Sequence, residues 1–480
     1  MQDNLKDYFS LNFKTFRKFQ QNIFIMNDLK NYIETHKGLF LEDLYSLLRI
    51  PSVSSKSEHK PDMLKCAERW KELLLAAGCE IAEVHLTAGA PVVYGEKLVS
   101  KNAPTVLVYG HYDVMPAEPL DLWKTPPFEP TIVDGRIYCR GANDDKGQSV
   151  MHAKAFEYLL KTNQLTCNVK FMMEGEEEVG SKNLYKFCED NKEKLKADVI
   201  LVSDTSMIDS ETPSITVGLR GLTYLEVEVT GPNRDLHSGL FGGAVANPIN
   251  ILCKMVASIT DEKNRITIPH FYDDVLTVSD EERALMAQAP FDVKGYKEAI
   301  DVEELCGEEG FTPMEHVGIR PSFDLCGIWG GYTGEGTKTV LPSKAFAKLS
   351  MRIVPNQNPD KISELFQKHF EEIAPKCVKV SVKPHHGGNA YVSPIDMPAY
   401  KAAEKAFVET YGKMPIPTRS GGSIPIIAGF DKILNTKSLL LGFGLEADAI
   451  HSPNESYKLE HFYKGIETIV WFYKFFGERK

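Results

Sequence analysis

The chain lacks the features that would place it in a membrane, in a disulfide-linked secreted protein or on a nucleic acid. No apolar run reaches the ~18 residues that a membrane-spanning helix requires. The nine cysteines are scattered with no CxxC pair, which indicates reduced thiols in an intracellular protein. A formal net charge of -11 disfavours contact with a phosphate backbone. We therefore expect a soluble, cytoplasmic protein with neither a membrane nor a nucleic acid as partner.

We also expect no secretory signal in the N-terminal segment. It has no small-residue cleavage site and no continuous apolar stretch of about 7–15 residues. Its aromatic and basic residues are compatible with an amphipathic presequence, but Asp3 and Asp7 argue against one. We treat 1–25 as a possible extension. The alternative is that translation starts at Met26, which an intact-mass measurement of the native protein would test.

The hydrophobic pattern changes once along the chain and then returns to its first form. At 480 residues the chain is too long for one ordinary core, so we expect about two domains. Apolar strands such as TVLVYG alternate with helical patterns, which predicts an α/β domain whose mostly parallel sheet is flanked by helices. The segment LTYLEVEVTG instead alternates apolar and polar residues, as half-solvated strands do. The predicted organisation is a first domain formed by 1–217 and 389–480, with an α+β module at 218–388 inserted in it.

Acidic residues and histidines follow several of the predicted strands at the points where the strands end. They are His111, Asp113, Glu176, Glu177, Glu178, Asp204 and His451, while Asp144 and Asp145 open a helix. Taken singly, such residues are usually structural histidines, helix caps or solvated loops. Because sites in parallel sheets form at the C-terminal ends of strands, we expect these side chains to converge. Carboxylates that converge repel one another unless a cation lies among them.

The residue types suggest which cation this would be. Imidazole with carboxylate favours zinc or a neighbouring divalent transition metal over calcium or magnesium. Three carboxylates and two neutral imidazoles would be balanced by two Zn²⁺ ions and one hydroxide. The ligands in this hypothesis are His111, Asp144, Glu178, Asp204 and His451. Residues 111 and 113 point to the same side of an extended chain, so the Asp113 carboxylate can accept a hydrogen bond from the far nitrogen of His111.

Nine short motifs follow one another from about residue 40 to the end of the chain. They read GHYDVMP, YCRGANDDKGQ, MEGEEEVGS, VSDT, DLHSGLFGG, KTVLPSKA, RIVPNQ, RSGGSIPI and AIHSPNE. In content and order they resemble the M20 metallopeptidases, and within them the branch of cytosolic non-specific and carnosinase-like dipeptidases. The resemblance implies a catalytic domain of the di-zinc exopeptidase type, interrupted by a lid and dimerisation domain.

The resemblance also implies roles for the residues at the strand ends. It makes the five residues above the metal ligands, with Asp144 bridging both ions and Asp113 orienting His111. Aligning EGEEEVGS on its Gly-Ser end makes Glu177 the general base and Glu178 a ligand. A slip of one residue would exchange these two roles, and the exchange stays open.

Four further residues would contact the substrate if the resemblance holds. His237, in DLHSG, would reach into the active site of the other subunit of a homodimer, and Thr339, Arg352 and Ser423 would line the substrate site. Each also has an ordinary explanation, because Arg352 suits a strand, Thr339 is β-branched and Ser423 belongs to a glycine-rich turn.

The implied activity is hydrolysis of the peptide bond of dipeptides by a broad-specificity dipeptidase. A hydroxide bridged by two divalent metal ions would attack, with a glutamate as general base. Zinc is the first choice of metal, with manganese or cobalt as alternatives. The alternative activities are those of an N-acyl-amino-acid deacylase or a carboxypeptidase of the same fold, which usually carry glutamate at the position of Asp204. A metal-free structural or binding protein is disfavoured because every expected ligand is present.

Overall fold

A computed structural model describes residues 28–422 and 424–478. The possible extension at 1–25 and the predicted substrate residue Ser423 therefore lie outside the described residues. The chain divides into two compact units. The first comprises 1–215, 395–415 and 433–480, and the second comprises 216–394 and 416–432. Among the described residues, no helix combines the length and the hydrophobicity needed to cross a membrane.

The helices are named here in chain order. They are α1 (28–48), α2 (Lys60–Ala77), α3 (Lys146–Lys161), α4 (Lys182–Asp190), α5 (Lys192–Leu195), α6 (Ser238–Phe241), α7 (Pro248–Ala257), α8 (Asp280–Met286), α9 (Val293–Ala299), α10 (Pro313–Gly318), α11 (Pro359–Glu372), α12 (Pro398–Tyr411), α13 (Pro425–Leu434) and α14 (Leu459–Gly477).

The strands are named in the same way. They are β1 (Ile81–His85), β2 (Val92–Lys97), β3 (Thr105–His111), β4 (Thr131–Val133), β5 (Arg136–Tyr138), β6 (Asn168–Glu174), β7 (Val199–Val202), β8 (Ser214–Leu219), β9 (Gly221–Thr230), β10 (Leu236–His237), β11 (Ser322–Gly330), β12 (Val340–Leu341), β13 (Lys344–Ile353), β14 (Lys379–Gly388), β15 (Tyr391–Val392), β16 (Ile416–Ser420), β17 (Ser438–Leu440) and β18 (Ser456–Lys458).

The first unit is built on a mixed sheet in which six strands pair in the order β1-β2-β6-β3-β7-β17. Strands β6, β3, β7 and β17 run parallel, whereas β1 and β2 are antiparallel additions at one edge. The predicted α/β class with a mostly parallel sheet is confirmed. The four parallel strands point their C-terminal ends to one side, and these are the strands after which the sequence places its acids and histidines.

Burial on both faces explains the continuous apolar runs of these strands. From Val106 to His111 every residue of β3 is buried, and all of β6 and β7 is buried as well. Helix α14 packs against α3 and α12, and it buries Trp471 completely. Full burial of a large apolar side chain contributes roughly 1.5–3 kcal/mol, so the packing of these three helices stabilises the first unit.

The second unit contains a four-stranded antiparallel sheet in the order β11-β13-β9-β14. Burial alternates along β9 and β13, because one face packs on a core shared with α7 and α11. Both helices begin with proline after a capping asparagine, Asn247 and Asn358, whose side chain accepts a backbone N–H of the first turn. The alternating strands expected in this part of the sequence are confirmed.

Candidate metal centre

Five side chains form two overlapping groups, four from the ends of the parallel strands or the segments that follow them and one, Asp144, from the loop before α3. One group is formed by His111, Asp144 and Asp204, and the other by Asp144, Glu178 and His451. Within each group the ligand atoms lie within 4.8 Å of one another. Asp144 belongs to both groups because its two oxygens face different histidines. Its Oδ1 lies 3.0 Å from His111 Nε2, and its Oδ2 lies 3.0 Å from His451 Nε2.

The remaining two carboxylates each lie near one of the histidines. Glu178 Oε2 is 3.1 Å from His451 Nε2, and Asp204 Oδ2 is 3.8 Å from His111 Nε2. The backbone of His451 has φ of 59°, in the left-handed region that few residues other than glycine adopt. Such a conformation costs about 1–3 kcal/mol and is concentrated at functional sites.

Asp113 contacts both His111 and the backbone of the two glutamates, Glu177 and Glu178. The sequence predicts that its carboxylate accepts from His111, but the shorter contact is made by its backbone carbonyl. His111 Nδ1 lies 3.0 Å from the backbone carbonyl oxygen of Asp113 and 3.4 Å from its carboxylate. The carboxylate accepts the backbone N–H groups of Glu177 and Glu178, each at 3.2 Å. The Asp113 side chain thus fixes the backbone at Glu177 and Glu178. The shorter contact to His111 is made by the backbone carbonyl of Asp113.

Glu455, for which the sequence predicts no role, lies beneath the loop that carries Asp144. Its side chain is fully buried and accepts the backbone N–H groups of Asn143 and Asp144 at 3.0 and 3.1 Å. The only hint in the sequence is that Glu455 belongs to the motif that carries His451. Its hydrogen-bond donors lie more than 300 positions earlier, so periodicity could not have found it.

Two more buried carboxylates, those of Asp145 and Glu174, accept hydrogen bonds from residues of β3. Asp145 accepts the backbone N–H of His111 at 3.1 Å and the hydroxyl of Ser149 at 2.5 Å. Glu174, at the end of β6, accepts the hydroxyl of Tyr109 at 2.6 Å. Burial raises the pKa of both carboxyl groups to about 8. The sequence predicts Asp145 only as a helix-opening acid, and it predicts no role for Glu174.

The electrostatics of the cluster reflect several acids crowded away from water. Burial, together with the charges of Asp144 and Glu178, raises the pKa of Glu177 to about 8. Burial also raises the pKa of Asp204 well above its usual range. Against its own burial, the imidazoles of His111 and His451, each 3.0 Å from one of its oxygens, hold the pKa of Asp144 below its ordinary value. Positive charge placed among these groups would stabilise their ionised forms.

The donor set fits divalent transition metals. His111 is fully buried, and its Nε2 makes no hydrogen bond within the described part of the chain, although Asp144 Oδ1 is only 3.0 Å away. A lone pair and a carboxylate oxygen that approach without bonding to each other are arranged as neighbouring ligands of a common ion. Imidazole nitrogen with carboxylate oxygen suits zinc and its neighbours.

The second unit holds three of the predicted substrate residues. His237 and Thr339 are exposed neighbours, because β10 pairs with β12 and the backbone N–H of Ser238 donates to the Thr339 carbonyl at 3.1 Å. The His237 Nδ1 accepts the N–H of Gly239 at 3.0 Å, so the neutral ring carries its proton on Nε2. Arg352 is half-buried on β13, opposite Leu222 of β9.

Comparison with known proteins places this arrangement in a family. Residues 107–473 match the sequence model of peptidase family M20/M25/M40. The Cys-Gly metallodipeptidase of Schizosaccharomyces pombe is 32% identical over 92% of this chain and 96% of its own length. The human Beta-Ala-His dipeptidase is 30% identical over 94% of this chain and 92% of its own.

A solved structure is similar over the same extent. An M20 family metallo-carboxypeptidase from Sulfolobus solfataricus superposes with a TM-score of 0.81 at 35% identity, covering 91% of this chain and 99% of that one. The resemblance inferred from the nine motifs is confirmed. The chain belongs to peptidase family M20/M25/M40 and is a metallopeptidase.

Proposed function

We propose that this protein hydrolyses the peptide bond of dipeptides as a broad-specificity, metal-dependent dipeptidase. The observation that carries the proposal is the shared Asp144, whose two oxygens each lie 3.0 Å from a different histidine. One carboxylate common to two donor groups is what a pair of metal ions needs. The two dipeptidases that match over nearly their whole length support the substrate class.

Two divalent cations per subunit would be held by the two donor groups, with zinc as the first choice and manganese or cobalt as alternatives. His111 and Asp204 belong to one group, Glu178 and His451 to the other, and Asp144 to both. When bound, such a pair lowers the pKa of a water molecule and polarises a carbonyl group.

Glu177 acts as the general base in this proposal. It takes the proton of the attacking water and passes a proton to the leaving amine. Its backbone N–H is held by the Asp113 carboxylate, and its own carboxylate belongs to neither donor group. Asp113 therefore positions the base and the ligand Glu178 with one side chain.

The substrate contacts inferred from the motifs complete the proposal. Arg352 binds the terminal carboxylate with its planar guanidinium fork, and Thr339 and Ser423 line the same site. His237 donates from Nε2 to the oxyanion, supplied by the other subunit of a homodimer. The segment 218–388 is the lid and dimerisation domain, interrupting a catalytic domain formed by 1–217 and 389–480. A cytoplasmic location accords with nine cysteines that are all free thiols.

Product analysis by mass spectrometry on a dipeptide library tests the proposal, with zinc, manganese and cobalt supplied in turn to the metal-free protein. We expect free amino acids from many dipeptides and two bound ions per chain. Folded protein that binds no ion pair with any of the three metals, or that binds the ions but cleaves no dipeptide, would contradict it.

A carboxypeptidase is the second candidate, favoured by the Sulfolobus structure. The two activities differ in the part of the substrate that must be free. A dipeptidase acts on dipeptides with a free amino group, whereas a carboxypeptidase also removes the last residue of N-acylated or longer peptides. Comparing a dipeptide with its N-acetyl form and with a pentapeptide of the same C-terminal sequence separates them.

A further inference from the structure

Glu455 binds an unusual number of donors for a single buried carboxylate. Its Oε1 accepts the backbone N–H groups of Asn143 and Asp144. Its Oε2 accepts the backbone N–H of Gly141 at 3.0 Å and Nη1 of Arg140 at 2.9 Å. Both members of the Arg140–Glu455 ion pair are at most 1% exposed. Four donors on one carboxylate fix the path of the main chain from 140 to 144.

The same residue ties this loop to the segment that carries His451. The backbone carbonyl of Glu455 accepts the N–H of Cys139 at 3.1 Å. Arg140 Nη2 donates to the carbonyl of Ser452 at 3.3 Å. The segment 451–455 and the loop 139–144 are therefore joined by the backbone and by the side chain of Glu455.

We propose that Glu455 is a positioning residue that holds Asp144 in register with His451, so that both donor groups can bind their ions. The proposal rests on the metal-dependent function proposed above. The geometric argument is that the Glu455 carboxylate accepts the backbone N–H of Asp144 itself, while Glu455 lies only four residues after His451 in the chain. Displacing the loop would move the one side chain that both donor groups share.

The chemistry of the contact requires a carboxylate. All four groups that face Glu455 are N–H donors. A glutamine of the same shape would turn an NH₂ group toward two of them, and it would leave the Arg140 guanidinium buried without an opposite charge. The main chain at 141–144 would have to move to relieve these contacts.

The test is the affinity for zinc, measured by chelator competition on wild type and on Glu455→Gln well below the unfolding temperature of the metal-free protein. We expect the variant to bind zinc about 10- to 100-fold more weakly, as when partners that orient metal ligands are removed. The stabilisation of the protein by added zinc should shrink accordingly. Affinity within twofold of wild type would overturn the proposal.

Two further variants separate positioning from general damage to the fold. Glu467→Gln removes another buried carboxylate, on α14, whose ion-pair partner is Lys30 rather than the loop, and it should leave zinc affinity unchanged. The double variant Arg140→Met with Glu455→Leu removes both members of the ion pair, so it leaves no unpaired charge, and its leucine offers no acceptor to Asn143 and Asp144. We expect its zinc affinity to stay weak. Recovery to the wild-type value would assign the effect to the buried charge and overturn the proposal.

The same measurements remain decisive if Glu455→Gln does not fold, because the double variant removes both members of the ion pair and serves in its place. Failure of the proposed function can also be recognised separately. A wild-type protein that binds no zinc contradicts the metal-dependent function, whereas wild type and variants that bind zinc equally contradict only the role of Glu455.

Discussion

Three consecutive glutamates lie in three different environments. Glu176 accepts N–H groups of Ala90 and Asn183, so it ties the segment before β2 to the start of α4. Glu178 meets His451 at 3.1 Å, and Glu177 is held through its backbone by Asp113. The residue type alone does not distinguish the three positions, and the alignment of the motif separates them only to within one residue. The role of each glutamate depends on the direction that the turn gives its side chain.

The variant Glu177→Gln should keep both metal ions and lose most of its activity. The amide keeps the shape of the side chain but cannot accept the proton, and loss of a general base typically lowers the rate about 10²- to 10⁴-fold. The measurements are kcat on a dipeptide and the metal content of the same sample. Glu176→Gln is the matched control and should stay within a few-fold of wild type, because the Glu176 carboxylate accepts from Ala90 and Asn183 and belongs to neither donor group.

Glu178→Gln should show the opposite pattern, with metal lost from the group that contains His451. An amide is a poorer ligand than a carboxylate and carries no charge to balance the ion. Metal analysis after dialysis should find fewer ions per chain than in wild type. If Glu177→Gln loses metal and Glu178→Gln retains it, the two roles are exchanged.

At the level of elements, the loop before α3 and the first turn of α3 approach closely. A Cβ added to Gly147 would lie 1.9 Å from the carbonyl oxygen of Ala142, which is backbone and cannot rotate away. Glycine is therefore required here by close approach. The helix and the loop that carries Asp144 meet at a spacing that a side chain would prevent.

Gly147→Ala should lower the free energy of unfolding of the metal-free protein by about 1–3 kcal/mol, the usual cost of overpacking. The matched control is Gly38→Ala on α1, where an added Cβ meets nothing within 4 Å. That exposed helical site should gain up to about 1 kcal/mol. Urea unfolding measures both, and equal stability of Gly147→Ala and wild type would show that the loop can move without cost.

Helix α14 carries a buried histidine whose protonation should couple pH to stability. His461 lies near the Phe443 carbonyl and the Ser210 hydroxyl, each at 3.1 Å from a ring nitrogen. Burial lowers the pKa of His461 to about 4. As pH falls from about 6.5 toward 4, the unfolded chain binds a proton that the folded chain excludes, so the free energy of unfolding falls.

The variant His461→Gln should lose this part of the acid sensitivity, since its amide cannot be protonated in that range. The full contribution is on the order of 3 kcal/mol, from about 1.4 kcal/mol per pKa unit. Urea unfolding of wild type and variant at pH 7, 6 and 5 gives the difference in slope. Parallel curves would contradict a neutral, buried His461.

For the whole molecule, the proposed exchange of His237 between subunits makes activity a property of the dimer. His237→Ala and a metal-free variant, Asp144→Asn, should each be inactive alone. Randomly mixed, half of the dimers are heterodimers with one complete site of two, so about a quarter of wild-type activity should return. The assay follows dipeptide hydrolysis after mixing and exchange of subunits. No recovery in a sample with demonstrated heterodimers would contradict the shared site.

The sequence by itself determined the fold class, the family and the place of the chemistry. Hydrophobic periodicity is local, so it identified β3 and β7, and the acids and histidines after such strands marked the functional edge of the sheet. The order of the nine motifs gave the family without any spatial information.

Only the tertiary structure decided which atoms meet. It turned the two oxygens of Asp144 toward different histidines, and it placed the carbonyl of Asp113 nearer to His111 than the carboxylate. It also placed Glu455 beneath a loop 312 positions earlier in the chain. The physical reason is that such contacts depend on how separate elements pack, and packing leaves no periodic trace in the residues themselves.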